Sequence, residues 1–344
     1  MRAITFGTAR GAVACALLMM AGCGVSGDSG GGAAHLPVSG SGPFTPLEPD
    51  PSLDMINPPF LLIDNGADLD DPWVVDYGDQ MALWVTARRR NVTDIEHSDS
   101  FALEQGFLPL VQAILPDQAW EAGSVSGASL VAGDPVAPGG IWVIFYTGGG
   151  AIGWATAPAI TLGHNWTKPA EPALFANHAE EGDELSSPAV VRLDDRVRVY
   201  YLGDGAIWAA EASWDDVVSG SATTWTRLDG DPSTPERDPM LRAPDWALSI
   251  GRFTAHADKT PAGRVRHDLY FTAVTVPTDA QPSISTCGFA SSFTGDRFEI
   301  ADTPILPLKN AAHAPAETPY RDGALLLYIG RAGARDAVAA AHSP

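Results

Sequence analysis

The sequence predicts an all-β fold, a five-bladed β-propeller of four-stranded blades, and three observations lead there. An aromatic-rich hairpin motif recurs about every sixty residues, a short apolar segment precedes each copy, and a repeated aromatic–proline connection follows several of them. The clearest hairpin runs from Ile141 to Thr156 and a second from Val197 to Glu211. Each joins an aromatic strand to a small-residue strand through a glycine turn, which is the pattern of a β-hairpin. Weaker copies occupy Asp268–Ala290 and Ala324–Ala341, and an earlier one begins at Met81–Thr86.

The segments before the hairpins are Asp71–Val75, Gly127–Val131, Ser187–Val191, Arg252–His256 and His313–Ala316. Their starts lie about 56 to 65 residues apart, enough for some four short strands per unit, and five such units close a ring. Connections at His164–Leu174, at Trp225–Leu228 with Asp238–Leu241, and at Gly295–Leu306 each place an aromatic ahead of a proline and a Leu or Ile. The aromatic is expected to pack between blades, and the proline to mark the turn toward the centre. Short helices are expected only at Ser100–Ile114 and Trp214–Val218. A strand beginning at Pro58–Ile63 is a natural partner for the C-terminal strands, because closing the ring there removes a free edge. The sequence leaves open whether it does so.

The N-terminus has a separate role. Arg2 and Arg10 flank the apolar stretch Gly11–Met20, too short to span a bilayer as a mature helix. The stretch ends at Met20-Ala21-Gly22-Cys23, which resembles the bacterial lipobox, and a Gly/Ser-rich tether follows. The expected organisation is a signal peptide over 1–22, a tether over 23–42 from a lipidated Cys23, and the propeller over 43–344. Acyl chains such as palmitate on Cys23 would be the sole membrane contact, placing the protein in the cell envelope on the extracytoplasmic side, at the outer membrane or facing the periplasm. Removal of Cys15 and acylation of Cys23 leave Cys287 alone, so no internal disulfide is expected and Cys287 is read as a buried structural thiol.

The net charge of −21, from 42 acidic and 21 basic residues, argues against nucleic acid as a partner, since phosphate contacts need clustered Lys and Arg. The one basic run, Arg88-Arg89-Arg90, is expected to form an exposed turn.

The Asp-Pro opening of the first unit, the run from Phe145 to Thr156 and the Trp166–Pro169 connection together resemble the five-bladed propellers of the arabinanase, levansucrase and invertase superfamily. Glycoside hydrolase families 43 and 32 are the most similar in these motifs. The resemblance spans most of Pro59–Ala341. It implies a carbohydrate ligand and glycosidic chemistry that needs two carboxyl groups flanking the scissile bond. Asp71, with Asp70 beside it, matches the Asp-Pro position whose aspartate is the general base of inverting members. Glu184 is the acid nearest the third-blade general-acid position, although Ser186 and Ser187 align with that position more closely. The second-blade carboxylate that tunes the acid has no counterpart in Ser124–Ser129, and Glu121 and Asp134 are out of position. His313 resembles the histidine that opens the last blade, which leaves room for a channel-bound ion near it; no other cofactor is implied. Arg252 and His256 are expected at the same opening.

Trp73, Trp120, Trp154 and Trp246 are candidate platforms for sugar rings. No Cys/His group has zinc spacing. Two functional readings stay open: hydrolysis through Asp71 and Glu184, or a non-catalytic propeller that binds a glycan or protein partner at the cell surface. A third, an assembly scaffold, would show a broad apolar patch instead.

Overall fold

The computed structural model describes residues 45–46, 60–62, 66–76, 81–100, 107–132, 140–158, 165–222, 224–260, 262–278, 282–306, 312–320, 323–332 and 335–343. The expected signal peptide, Cys23 and the expected tether lie outside the described residues. Blade 1 holds β3 (Asp68–Asp76), β4 (Met81–Arg88), β5 (Thr93–Ser100) and β6 (Val111–Ile114). Blade 2 holds β7 (Val125–Ala132), β8 (Ile141–Gly148) and β9 (Ala151–Pro158). Its fourth strand is reduced to bridges from Thr156 to Thr167 and from Ile152 to Leu174. Blade 3 is β10 (Leu185–Leu193), β11 (Arg196–Gly203), β12 (Ala206–Ser213) and β13 (Thr226–Arg227). Blade 4 is β14 (Ala247–Lys259), β15 (Val265–Thr275), β16 (Ser285–Ser292) and β17 (Glu299–Ile300).

Blade 5 contains β18 (His313–Tyr320), β19 (Gly323–Ala332) and β20 (Arg335–Ser343). The N-terminal strands β1 (Thr45–Pro46) and β2 (Phe60–Leu62) pair antiparallel with β20. The two ends of the chain therefore share one sheet, which covers the edge that β20 would otherwise expose. The inner strands β3, β7, β10, β14 and β18 each pack on the next, and β18 returns to β3. The ring has five blades, as the repeats predict.

Five apolar clusters fill the five seams. Strand β8 shows why its sequence is apolar almost throughout. Trp142, Ile144 and Tyr146 pack toward blade 1, while Val143 and Phe145 pack toward blade 3. Successive side chains point to opposite faces, and a blade sandwiched between two others buries both. The predicted aromatic anchors behave as expected: Trp166, Trp225 and Phe298 pack into the seam with the preceding blade. Trp225 meets Phe145 edge-on with centroids 5.8 Å apart. Cys287 is fully buried in the seam between blades 4 and 5, and burial pushes its thiol well above the ordinary range.

A second repeated device locks blades 2 and 3. Glu121, fully buried, accepts from the Tyr146 hydroxyl at 2.8 Å and pairs with Lys168 at 2.7 Å. Glu181, also fully buried, accepts from Tyr201 at 2.5 Å and pairs with Arg227 and Arg237. Each acid closes a 3-10 turn just ahead of an inner strand. Cations and hydroxyls offset much of the cost of burying each carboxylate, while Glu181 Oε2 is left without a hydrogen bond.

Two local expectations are corrected. The helix expected over Ser100–Ile114 does not form at its ends: Ser100 closes β5, and Val111–Ile114 is β6, the outer strand of blade 1. Residues 101–106 lie outside the described set. Pairing with β5 satisfies the Val111–Ile114 backbone, which local propensity could not foresee. Trp214–Val218 is helical as expected, and is the only α-helix among the described residues. The run Arg88–Arg90 is not merely an exposed turn. Arg89 pairs with the buried acids Asp94 and Glu96, and Arg88 pairs with Asp70 at 2.8 Å. No described helix is long and apolar enough to cross a membrane.

Candidate binding site at the channel mouth

Every inner strand carries a β-bulge near its start, where its register with the second strand of the blade slips. The slips fall at Asp70/Trp73, Ser126/Ser129, Ser186/Ala189, Ile250/Phe253 and His313/Ala316. In four of the five the bulged residue has left-handed backbone: Asp71 at φ 50°, Gly127 at 68°, Ser187 at 51° and Ala314 at 49°. Bulges re-aim side chains, and these point their residues into the axial channel. The remaining blade, blade 4, contributes Arg252. Together with adjacent residues these five line a channel whose free volume is only about 20 Å³. That is room for about one water, so a ligand would have to sit at the mouth.

Hydroxyls on the second strands hold the bulges in place. Thr86 accepts the N–H of Gly127 at 2.9 Å, Thr147 that of Ser187 at 2.9 Å, and Thr272 that of Ala314 at 2.7 Å. Each bond crosses from one blade to the next. The bulge leaves one N–H outside the ladder, and the neighbouring blade supplies its partner. Thr86 does more, because its hydroxyl also donates to Asp71 Oδ2 at 2.8 Å. One buried side chain thus ties the first blade's acid to the second blade's backbone.

Asp70, Asp71, Arg252 and His313 come together as the sequence suggested. Arg252 forms ion pairs through Nη1 with Asp71 Oδ2 and through Nη2, at 3.6 Å, with Asp70 Oδ2. Asp70 also pairs with Arg88, accepts the N–H of Asp71 at 2.9 Å and lies 3.7 Å from His313 Nε2. Burial lowers the His313 pKa, more than offsetting the pull of Asp70, and favours the neutral imidazole. Two carboxylates therefore face two guanidiniums. Because these cations already hold Asp70, the residues around His313 are poorly suited to a further cation. Among the described residues no group of three or more His, Cys, Asp or Glu is arranged to hold a metal.

The remaining predicted residues lie elsewhere. Glu184 is exposed on the loop entering β10, where it flanks Gly150, and Ser187 takes the channel position three residues later. Glu184 makes no hydrogen bond or ion pair with Asp71. Trp73 is buried in the seam between blades 1 and 2, so its ring is packing rather than a platform at the mouth. His256 stacks on Trp73 with centroids 6.1 Å apart, and its Nε2 lies 3.5 Å from Glu317 Oε2. Trp120 stacks on Tyr146, and Trp154 is buried with its indole N–H on the Val217 carbonyl. Trp246 lines a groove between blades 3 and 4.

Sequence reasoning missed Arg88, Thr86 and a buried polar group between blades 4 and 5. That group comprises Asp268, Glu317 and Tyr270, all buried, with Arg266 on Asp268 at 2.9 Å. Burial raises the Asp268 carboxyl to about 6 and pushes Glu317 well above the carboxylate range. Burial also lowers His256, so it disfavours the charged form of both Glu317 and His256. The basic run was the one visible signal for Arg88; nothing local marked the others.

No protein-family model and no curated protein matches this sequence. Solved structures do match its fold. A glycosyl hydrolase from Bacteroides ovatus aligns with a TM-score of 0.59 at 15% identity, covering 86% of this chain and 93% of its own. The catalytic domain of a GH62 α-L-arabinofuranosidase from Coprinopsis cinerea aligns at 0.60 and 12% identity, covering 89% and 98% respectively. A GH130 structure, described with glycoside hydrolases that target β-1,2 mannosidic linkages in Candida mannan, aligns at 0.58 and 15%, covering 87% and 93%. The fold is the five-bladed propeller on which these glycoside hydrolases are built. At such identities the likeness establishes architecture, and the chemistry rests on this chain's own residues.

Proposed function

We propose that this protein is a carbohydrate-binding propeller of the cell envelope that holds a glycan at the channel mouth without cleaving it. The observation that carries this is the composition of the ring. The carboxylates at the mouth, Asp70 and Asp71, are sequence neighbours on one strand, and both are engaged by Arg252. The channel positions of blades 2, 3 and 5 are Gly127, Ser187 and Ala314. Glycoside hydrolysis needs a second carboxyl across the scissile bond, about 5–9.5 Å from the first, with one of the two protonated. Glu184, the nominated partner, is exposed and displaced from the channel position. The Asp–Arg pairs instead offer planar acceptors and donors suited to sugar hydroxyls. The glycoside hydrolases that share this fold support a carbohydrate as the ligand. The lipobox-like sequence before Cys23 supports tethering by lipid at the extracytoplasmic face.

The test is binding and turnover together. The full-length protein, purified in detergent, is titrated with cellohexaose, xylohexaose, arabinohexaose and mannohexaose, and product release is followed over days. Binding that Asp71→Asn weakens, with no released product, is expected. Turnover abolished by both Asp71→Asn and Glu184→Gln would establish the hydrolytic reading instead.

A further inference from the structure

A groove of about 980 Å³ lies between blades 3 and 4 and shares no lining residue with the channel. One wall is the loop from Gly230 to Trp246, which leads from β13 to β14; the other is Arg297–Asp302 around β17. Its size is at the upper end of the range for small-molecule sites and accommodates several sugar rings.

Trp246 is fixed in this groove at both edge and face. Its indole N–H donates to the Ala301 carbonyl at 3.0 Å, and one ring face stacks on Phe271 at 6.4 Å and 17°. The ring is half-buried, so its other face is the one left for a ligand. Around it stand planar polar groups. Asp231 is paired with Arg297 across the two walls, and Asp238 with Arg242 at 3.6 Å. Asp245 and Asp302 are exposed in the same lining and make no hydrogen bond or ion pair. Four aspartates against two arginines disfavour an anionic ligand, and the charged lining disfavours a purely apolar one. A saccharide offers what remains: a C–H face for the indole and hydroxyls for the carboxylates and guanidiniums.

We propose that this groove is a second carbohydrate site, taking a neutral oligosaccharide with Trp246 as its ring platform and Asp245 and Asp302 as hydroxyl acceptors. It goes beyond the channel-mouth reading and does not depend on it. A chain with both sites would hold one long glycan at two points or two separate glycans.

The same four hexasaccharides are titrated by calorimetry against wild type, Trp246→Ala, Asp245→Lys and Asp71→Asn. Trp246→Ala removes the platform, and the expected loss is about tenfold in affinity, the equivalent of roughly 1.4 kcal/mol. Since Trp246 also packs on Phe271, a thermal melt separates loss of fold from loss of binding in that variant. Asp245→Lys changes an exposed side chain with no bond to lose, keeps the fold and places a long cation in the groove. Binding that survives Asp71→Asn and falls in Asp245→Lys supports the groove. Binding unchanged in Asp245→Lys, or lost only in Asp71→Asn, overturns it and leaves the mouth as the site. Absence of binding by all four sugars overturns the assignment of a neutral glycan.

Discussion

Replacing Thr86 by Val tests how the ring is held together. The two side chains have nearly the same shape, so packing is retained and only the hydroxyl is lost. Thr86 is fully buried, accepts the Gly127 N–H at 2.9 Å and donates to Asp71 Oδ2 at 2.8 Å. Gly127 is itself buried, so its N–H loses its partner away from solvent, at a cost of about 1–3 kcal/mol. The hydroxyl bond to an ionised Asp71 adds about 1.5 kcal/mol or more, partly offset because Arg252 still pairs with that carboxylate. The expected destabilisation is about 3 kcal/mol, measured as a lower urea midpoint at unchanged m-value. Thr147→Val and Thr272→Val each remove one bond from a half-buried side chain and should cost about 1–2 kcal/mol. Thr86→Ser keeps both bonds and should recover most of the loss. A Thr86→Val protein within about 0.5 kcal/mol of wild type, or no worse than Thr147→Val, would refute the inter-blade clasp.

Two further outcomes are expected. Asp268 is fully buried, and its carboxyl is raised from 3.8 to about 6 in the folded state. The native protein then holds a proton that the unfolded chain releases, so this group's stabilisation is complete below about pH 4 and is lost as pH rises through about 6. Glu317, raised by the same burial and facing Asp258 and Asp268, acts in the same direction. Asp268→Asn should flatten its share of that profile, roughly 3 kcal/mol between pH 4 and 6; a difference between variant and wild type that does not vary with pH contradicts the assignment. For the anchor, Cys23→Ser should move the protein from the membrane fraction to the soluble one, and retention on membranes in high salt would count against lipidation.

Periodicity determined the architecture of this protein. A unit of about sixty residues with alternating aromatic strands has few ways to bury both faces except between copies of itself, so blade number and inner-strand positions were legible. So were Asp70, Asp71, Arg252 and His313, because each stands at or beside the start of a repeat and the ring brings repeat starts together. What the repeats could not show is where the side chains between those starts go. Trp73 has the composition of a sugar platform, yet blade 2 covers it. Glu184 has the chemistry of an acid catalyst, yet the bulge three residues later brings Ser187 to the channel instead. Arg88 and Thr86 gain their roles from partners on other strands and blades, at sequence separations no local pattern encodes. The elevated pKa of Glu317 and Asp268 likewise arises only when blades 4 and 5 close over them and exclude water. Local sequence specifies strands and their faces through the period of two; burial, pairing and proton affinity belong to the seams, which exist only once the ring has closed.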